Sequence, residues 1–495
     1  MAFDDPDLHR RHFLQIGLSI ALGGFSVRPR LTVRQPDSPL SAMLDRLVAK
    51  HRVPGALVAL YRDGEITVAA AGAANLNTGV PMTTDTAFLT GSITKVWTAA
   101  LAMTFVDDGT LELDRPIIEY LPHFRLRDAE AAKAITTRQL LNHSSGMDAG
   151  DLLLDLGEGP AAHRRYVEVL ATVGQIHRPG AYSSYCNGGF ILAGHLLEHL
   201  SGTDYHTLLG NRIIAPLGLD RTVTDTDDAI LRQTAVGSLP DPSRPGHYRA
   251  TPRFHLPKSA AAAGATLITT LRDQLGFAAM HIGRGVGRNG RRVLSEASAA
   301  AMATRTIGRP VGAGGFGLGW GQSGRPGEVR LSHSGGSNGG IAQLVVLPDR
   351  RIAYASFANS SSSYGFHGEL QQQVLATVMP APAPRAPAPP AAAGPLNPAG
   401  VVGQYRRKSE LTTILEEGGR IVADTRVIPE EFSGSEIYNL GQKMRYEVRA
   451  TGPTQLTSVE PVLLGQPNVF DFMEPGPGGR FELLYSAGRL SRRTS

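Results

Sequence analysis

Cysteine is almost absent from this chain, since Cys186 is the single cysteine among its 495 residues. One cysteine excludes an intrachain disulfide framework and any zinc site built from several thiolates. The histidines are scattered, and no spacing among them suggests a metal site. We therefore predict a protein that holds no metal and needs no cofactor.

Excess charge of either sign is also lacking. The formal net charge is +5 over the whole length, and no basic stripe with interleaved aromatics is present, so a nucleic-acid partner is not expected. The hydrophobic fraction is 42% and the charged fraction 19%, a balance that excludes wholesale disorder. The length suits three domains, or one large catalytic domain with a small one.

Long apolar runs are missing, so no stable membrane span is predicted. The nearest is the stretch 16–25, which three glycines and one serine interrupt and which is too short to cross a bilayer. Arg10 and Arg11 precede it and are followed by Phe13-Leu14, an arrangement that resembles a twin-arginine export signal. We predict that residues 1–40 export the protein to the periplasm or beyond; the alternative is a disordered or helical extension.

Residues 41–379 alternate strand and helix patterns. Two apolar runs at 56–61 and 66–70 flank Asp63-Gly64 and predict a hairpin, and 94–107 predicts a buried helix. Strands are predicted again at 343–347 and 352–357. Strands at both ends with helices between them indicate an α/β (α+β) domain with one sheet built from both termini.

A change in composition marks the end of this domain. The segment 380–399 holds eight prolines between Pro380 and Pro398 and no aromatic residue, which predicts an extended linker. From 400 to 495, short strand-like runs are separated by turns such as Glu417-Gly418-Gly419. This spacing predicts a second, small domain, an antiparallel β-barrel or sandwich.

The first candidate catalytic group is Ser92-Ile93-Thr94-Lys95, at the start of the predicted helix. A helix places residues i and i+3 on one face, so the Ser92 hydroxyl and the Lys95 amine can meet. The helix N-terminus favours an oxyanion there, and burial can deprotonate the lysine so that it acts as a base. Alone the motif is weak, because an N-capping serine with a solvated lysine has the same spacing.

Two later motifs add matching chemistry. In Tyr185-Cys186-Asn187, a phenol beside a lysine can shuttle a proton and an asparagine can bind a substrate amide. In His333-Ser334-Gly335-Gly336, the glycines before a predicted strand permit close approach of substrate. Each motif by itself also fits a loop tyrosine packing its ring or a glycine-rich hairpin.

Ser-x-x-Lys, then Tyr-x-Asn, then His-x-Gly is the motif order of the serine β-lactamase and penicillin-binding-protein fold, and this chain resembles its class C-type branch. Further resembling segments are Val53-Pro54-Gly55-Ala56, Leu140 to Met147, Pro216-Leu217-Gly218-Leu219, Gly264 to Thr269, Gly317-Leu318-Gly319-Trp320 and Leu347-Pro348-Asp349. The resemblance covers residues 41 to about 375. It implies that Ser92 is the nucleophile, that Lys95 and Tyr185 move its proton, and that Asn187 and His333 complete the catalytic set.

The resemblance also implies an oxyanion hole formed by the backbone N–H groups of Ser92 and Gly336, with Gly335 lining the substrate site. Two departures stand out. His333 replaces a lysine, which makes efficient β-lactam hydrolysis less expected, and Cys186 replaces a common serine, which we interpret as a packing residue. His143 lies in a turn that the resemblance marks as structural, so we leave it out of the catalytic set.

The predicted function is that of a serine acyl-enzyme hydrolase or acyltransferase acting on amide or ester bonds, resembling a D-Ala-D-Ala carboxypeptidase, a D-aminopeptidase or an esterase. A first alternative is a penicillin-binding-protein-type thioesterase, which releases and cyclises nonribosomal peptides from a peptidyl carrier protein and would be cytoplasmic. A second is a catalytically weak penicillin-binding or sensor module. The complete motif set favours an enzyme, with a small peptide, ester or thioester as its substrate.

The thioesterase layout also implies that the 400–495 barrel is lipocalin-like and docks near the active-site mouth. Its basic residues Arg480, Arg489, Arg492 and Arg493 could place an arginine over the cleft to grip a substrate carboxylate. We name Arg480 first, because it lies between a glycine-rich turn and a strand. The alternative for each arginine is a solvated basic side chain.

Overall fold

The computed structural model describes residues 38–159, 161–324, 328–379, 396–428, 444–462 and 467–495. Most of the predicted export segment at 1–40 and of the predicted linker at 380–399 lies outside these ranges. Within them, no helix has both the length and the apolar character needed to cross a bilayer.

The helices of the described residues are mostly short, and all but α1, α12 and α13 lie between the first and last strands of the catalytic region. Several begin at a side-chain cap, such as Ser38, Thr136 and Thr270. Their bounds are α1 Pro39–His51, α2 Thr94–Asp107, α3 Ile117–Tyr120, α4 Ala129–Ala134, α5 Thr137–Leu141, α6 Ala162–Leu170, α7 Asn187–Ser201, α8 Tyr205–Leu209, α9 Ala215–Leu217, α10 Leu271–Ile282, α11 Glu296–Ala303, α12 Tyr364–Ala376 and α13 Pro398–Val401. Short 3₁₀ turns lie at Gly91–Ile93, Thr226–Leu231, Lys258–Ala263, Pro348–Arg350 and Pro477–Gly479, and a π-helical turn lies at Gly210–Ile214.

The strands fall into a catalytic group and a C-terminal group. The catalytic group is β1 Gly55–Arg62, β2 Glu65–Gly72, β3 Phe88–Leu89, β4 Ser238–Pro240, β5 Tyr248–Ala250, β6 Ile268–Thr269, β7 Ile307–Gly308, β8 Gly315–Phe316, β9 Gly321–Ser323, β10 Arg330–Ser337, β11 Gly340–Leu347 and β12 Ile352–Ala358. The C-terminal group is β13 Gly403–Arg407, β14 Glu410–Glu417, β15 Arg420–Val427, β16 Met444–Gly452, β17 Gln455–Ser458, β18 Val469–Pro475, β19 Phe481–Ser486 and β20 Arg489–Arg493.

The main sheet is antiparallel, with the order β2-β1-β12-β11-β10-β9-β8-β7. Its early strand β1 pairs with the late strand β12, with Ala59 opposite Ala355. This confirms the prediction of one sheet built from both ends of the domain. The predicted hairpin is β1–β2, and the predicted helix is α2.

Apolar layers cover both faces of this sheet. On one face the helices form the larger core, where the Trp97 ring of α2 stacks on Phe277 of α10 with centroids 3.9 Å apart. On the other face α1 and α12 pack over residues such as Val58 and Tyr354. Helix α2, which starts three residues after Gly91, is therefore fixed by the interior of the domain.

The C-terminal strands β13 to β20 form a closed barrel of eight antiparallel strands. Closure is visible at Tyr405, which lies opposite Thr412 on one side and Arg493 on the other. Buried side chains such as Tyr405, Phe470 and Phe472 fill the interior. The small antiparallel barrel predicted for this part of the chain is confirmed.

The barrel packs directly on the catalytic domain, and both belong to one compact unit. Leu483 and Leu490 of the barrel form an apolar cluster with Ile176, and burying side chains of this size stabilises the contact by roughly 1.5–3 kcal/mol each. Arg492 donates from Nε (3.2 Å) and Nη2 (2.9 Å) to the Ile176 carbonyl. The Lys408 N–H donates to both carboxylate oxygens of Asp148, at 2.8 and 2.9 Å.

Candidate active site

Ser92 and Lys95 meet as the sequence predicts. Ser92 lies in the 3₁₀ turn that leads into α2, and the Lys95 amine is 3.1 Å from its Oγ. The same amine donates to the Ala263 carbonyl at 2.5 Å. Ser92 is partly exposed, whereas Lys95 is completely buried. The arrangement thus combines a hydroxyl that substrate can reach with an amine that water does not.

Burial sets the protonation of this amine. The pKa of Lys95 is held well below its usual range, first by burial and then by the positive charge of Arg489, while Cys186 and Asp151 act in the opposite direction. A neutral amine can accept the serine proton, whereas an ammonium cannot. The pair can therefore activate Ser92 as a nucleophile.

Tyr185 lies beside the same amine, which is 5.0 Å from the centroid of the tyrosine ring. His143 fixes the Tyr185 loop, because its carbonyl accepts the Ser184 N–H at 2.9 Å and its Nδ1 accepts the Cys186 N–H at 3.1 Å. Burial lowers the pKa of His143 well below its usual range, so the ring is a neutral acceptor. His143 is thus a positioning residue whose effect on Tyr185 the sequence motif alone does not reveal.

Cys186 is buried next to this chemistry but does not take part in it as a thiolate. Its side chain is 2% exposed and belongs to the apolar core. Burial raises the pKa of its thiol to about 11, which keeps it protonated at neutral pH. These features support our interpretation of Cys186 as a packing residue.

Asn187 begins α7 and is buried. Its Nδ2 donates to the Gly150 carbonyl at 2.8 Å, and its backbone N–H reaches the same oxygen at 3.1 Å. The side chain therefore ties α7 to the loop that contains Gly150. The predicted contact of Asn187 with a substrate amide stays a prediction.

The glycine strand β10 runs past Ser92. A Cβ atom built on Gly335 would overlap the Thr90 carbonyl and lie 3.0 Å from the Ser92 amide nitrogen, and one built on Gly91 would lie 2.6 Å from the Gly336 nitrogen. Only glycine permits this approach. The backbone of Ser92 and of Gly336, the two predicted oxyanion-hole donors, therefore comes together here.

His333 lies on the same strand, with its ring centroid 6.2 Å from that of Tyr185. Its Nδ1 is 2.6 Å from the Ser334 carbonyl. Burial lowers the pKa of His333 to about 3. The third motif thus presents a neutral imidazole where the related pattern has a cationic lysine.

The barrel contributes two groups to this site, the Gly488 carbonyl and the Arg489 guanidinium, whereas the sequence favours Arg480. The Tyr185 N–H donates to the Gly488 carbonyl at 3.0 Å, and the guanidinium of Arg489 lies 4.9 Å from the Tyr185 ring centroid. Arg480, the arginine that the sequence favours, is exposed. It precedes the start of β19, whereas the Gly488 turn follows the end of that strand. The length of β19 places Arg480 about 20 Å from this turn, at 3.4 Å per residue. The structure does not bring Arg480 to Ser92, and its predicted contact with a substrate carboxylate stays a prediction.

A family model described as Beta-lactamase matches residues 40–378. The chain belongs to the beta-lactamase family. Penicillin-binding protein 4 of Amycolatopsis lactamdurans is 36% identical over 374 residues, which cover 74% of this chain and 96% of that protein. The family, together with the geometry around Ser92, makes the protein a serine hydrolase of the beta-lactamase family.

Solved structures extend the likeness over both domains of this family member. The crystal structure of SurE superposes with a TM-score of 0.72 and 27% identity, and covers 92% of this chain and 98% of SurE. A coverage of this extent includes the barrel. The D-amino acid amidase from Ochrobactrum anthropi SV3 matches with a TM-score of 0.57 and 26% identity over 68% of this chain and 96% of the amidase.

Proposed function

We propose that this protein forms an acyl-enzyme on Ser92 and acts on amide or ester bonds of small peptides that contain D-amino acids. The observation that carries the proposal is the 3.1 Å contact between Ser92 Oγ and a completely buried Lys95 amine. In this reaction the Ser92 oxygen attacks the substrate carbonyl while its proton passes to the Lys95–Tyr185 unit. The leaving amine or alcohol then receives that proton, and water releases the acyl group.

The remaining residues of the site support the two steps. The N–H groups of Ser92 and Gly336 stabilise the negative oxygen of the tetrahedral intermediates. Gly335 lets the substrate lie close to β10, and Asn187 and His333 border the same space. The buried His143 keeps the Tyr185 loop in place through its hydrogen bonds to Ser184 and Cys186.

Two of the similar proteins support a substrate of D configuration. SurE has also been crystallised with D-Leu, and the Ochrobactrum anthropi enzyme is described as a D-amino acid amidase. A cell-wall peptide or a D-amino-acid amide or ester outside the cytoplasm suits this chemistry, provided that residues 1–40 act as the predicted export signal.

A second candidate is acyl transfer to an amine, with cyclisation of a peptide delivered as a thioester by a carrier protein. The observation that favours it is the closed barrel docked on Tyr185, which matches the two-domain layout expected of penicillin-binding-protein-type thioesterases. The same acyl-serine serves both outcomes, because only the acceptor differs. A cytoplasmic location would accompany this alternative.

The test of the primary proposal compares D and L substrates. We expect the purified protein to hydrolyse D-alanine p-nitroanilide, and the p-nitrophenyl ester of an N-acyl-D-alanine, at least about tenfold faster than their L counterparts. Product analysis with an added amine nucleophile measures how the acyl group partitions between water and the amine. Absence of turnover with either enantiomer would refute the proposal, and a product formed mainly by aminolysis would favour the second candidate.

A further inference from the structure

Asp151 is a buried carboxylate at which three groups of the barrel converge. Its Oδ1 is 2.5 Å from Nη2 of Arg489, its Oδ2 is 3.4 Å from Nε of Arg407, and the same oxygen accepts the Ser409 hydroxyl at 3.2 Å. Asp151 is 5% exposed, and the two arginine side chains are 14% and 8% exposed. A charge group this deeply buried depends on its partners, since removing one leaves an uncompensated charge.

This cluster adjoins the catalytic residues. Asp151 follows Gly150, whose carbonyl holds Asn187. A Cβ on Gly150 would lie 2.9 Å from the Tyr185 carbonyl and 3.3 Å from Nε of Arg489. The backbone from Gly150 to Asp151, the Tyr185 loop and Arg489 therefore lie in direct contact.

The turn between β19 and β20 also holds the Tyr185 loop by its backbone. The Gly488 carbonyl accepts the Tyr185 N–H at 3.0 Å, and the Leu490 N–H donates to the Ser184 hydroxyl at 3.0 Å. Arg489 lies between these two contacts, with its guanidinium over the Tyr185 ring. Any displacement of this turn would thus move the tyrosine.

Docking alone does not require an arginine at this position. Arg492 of the same strand already anchors the barrel through the Ile176 carbonyl. Arg489 instead brings a positive charge to the buried amine of Lys95. Among the residues that the structure describes, the other charged or titratable groups near this amine are Asp151, Cys186, His143, His333 and Tyr185.

We propose that Asp151 is a positioning residue that holds Arg489 against Tyr185, and that the barrel is thereby part of the proton-transfer unit for every substrate. This inference rests on the proposed acyl-serine function and goes beyond it. The barrel then matters even for an ester too small and too neutral to touch an arginine. A barrel that only binds the substrate carboxylate would affect the turnover of carboxylate-bearing peptides alone.

The test uses the full-length protein and p-nitrophenyl acetate, which carries no carboxylate. Arg489→Gln removes the charge, Arg489→Lys keeps it, and Asp151→Asn removes its anchor. Arg406→Gln is the matched control. Arg406 is exposed on β13, and its replacement by glutamine removes the same positive charge from the protein. The measured quantities are kcat, KM and the pH dependence of kcat/KM, with the melting temperature followed for each variant.

We expect Arg489→Gln to lower kcat about tenfold or more with KM within about twofold. The acid limb of its kcat/KM profile should shift to higher pH, because loss of a nearby positive charge raises the pKa of the base. Arg489→Lys should keep the parental acid limb. Asp151→Asn should lower kcat similarly, and the double variant Asp151→Asn/Arg489→Gln should lose little more than the worse single variant. Arg406→Gln should match the parent.

Several results would overturn the inference. One is parental kcat and an unmoved acid limb in Arg489→Gln, and another is a loss confined to a carboxylate-bearing peptide. A fall in activity that tracks only a fall in melting temperature, with Arg489→Lys as impaired as Arg489→Gln, would assign a merely structural role. An inactive parent protein whose Ser92 is never acylated would instead refute the proposed function itself.

Discussion

The active site is bordered by two regions that differ in the contacts they contribute, one around Ser92 and one where the barrel meets Tyr185. Around Ser92 the site depends on shape: the backbone of Gly91 packs against Gly336, that of Gly335 packs against Thr90 and Ser92, and α2 is fixed in an apolar core. Where the barrel docks, the apolar cluster at Ile176 is joined by charged and hydrogen-bonded contacts centred on Asp148 and Asp151. In our proposal the first region assembles the nucleophile, and the second sets the charge around the base.

The largest effect should come from the shape-dependent side. Ser92→Ala removes one hydroxyl from a partly exposed residue, so the fold should be unchanged while turnover of amides and esters disappears. Rates with a small ester, measured beside circular dichroism spectra, check this. Full activity in Ser92→Ala would remove the nucleophile from the account.

The next effect concerns the proton-transfer unit that both regions contact. Lys95→Ala should lower kcat by more than about a hundredfold, the usual scale for loss of a general base. Tyr185→Phe should also lower kcat strongly, since it removes the phenol hydroxyl but keeps the ring that packs on His143. Near-normal steady-state rates in both variants would show that neither group moves the proton.

A smaller effect tests whether shape is what the glycine strand provides. Gly335→Ala should lower kcat about tenfold to a hundredfold, because the new Cβ would push β10 away from the Thr90 carbonyl and the Ser92 amide. The matched control is Gly368→Ala, at an exposed position of α12 where a Cβ meets nothing within 4 Å.

The control should leave activity intact and raise the free energy of unfolding by up to about 1 kcal/mol, as expected for glycine to alanine in a helix. Thermal melts and kcat of both variants decide the matter. Equal activity in Gly335→Ala and Gly368→Ala would mean that close backbone approach at Ser92 is not needed.

The smallest effect concerns charge at the third motif. The pKa of His333 is lowered to about 3, so the ring stays neutral above about pH 4 and offers no cation to a β-lactam carboxylate. His333→Lys should therefore raise the acylation rate by a fluorescent penicillin about tenfold, equivalent to ~1.4 kcal/mol. An unchanged or slower rate of labelling would show that the substrate carboxylate is bound elsewhere.

The sequence predicted the shape-dependent side well because its signals are local. Ser92 and Lys95 are three residues apart, and the bounds of the helix that starts at Thr94 follow from its apolar run. The strands of the barrel were also recognisable, since each shows its own alternation and turns.

The charged side could not be predicted in the same way. The Ser184–Leu490 contact spans 306 residues, and no local pattern tells which turn of a closed barrel faces another domain. The glycine-rich turn before Arg480 favours that residue in the sequence. Arg489 instead follows the shorter turn at Gly488, which contacts the Tyr185 loop. Asp151 carries no motif, and its role is visible only once Arg407 and Arg489 converge on it.

The most direct test of the central claim is intact-mass analysis of the protein after incubation with a D-Ala-D-Ala peptide and with a peptidyl thioester. The account predicts a mass increase equal to the acyl group with at least one of them, located on Ser92 by peptide mapping and absent in Ser92→Ala. An acyl group on another residue, or no adduct and no released product with either substrate, would contradict it.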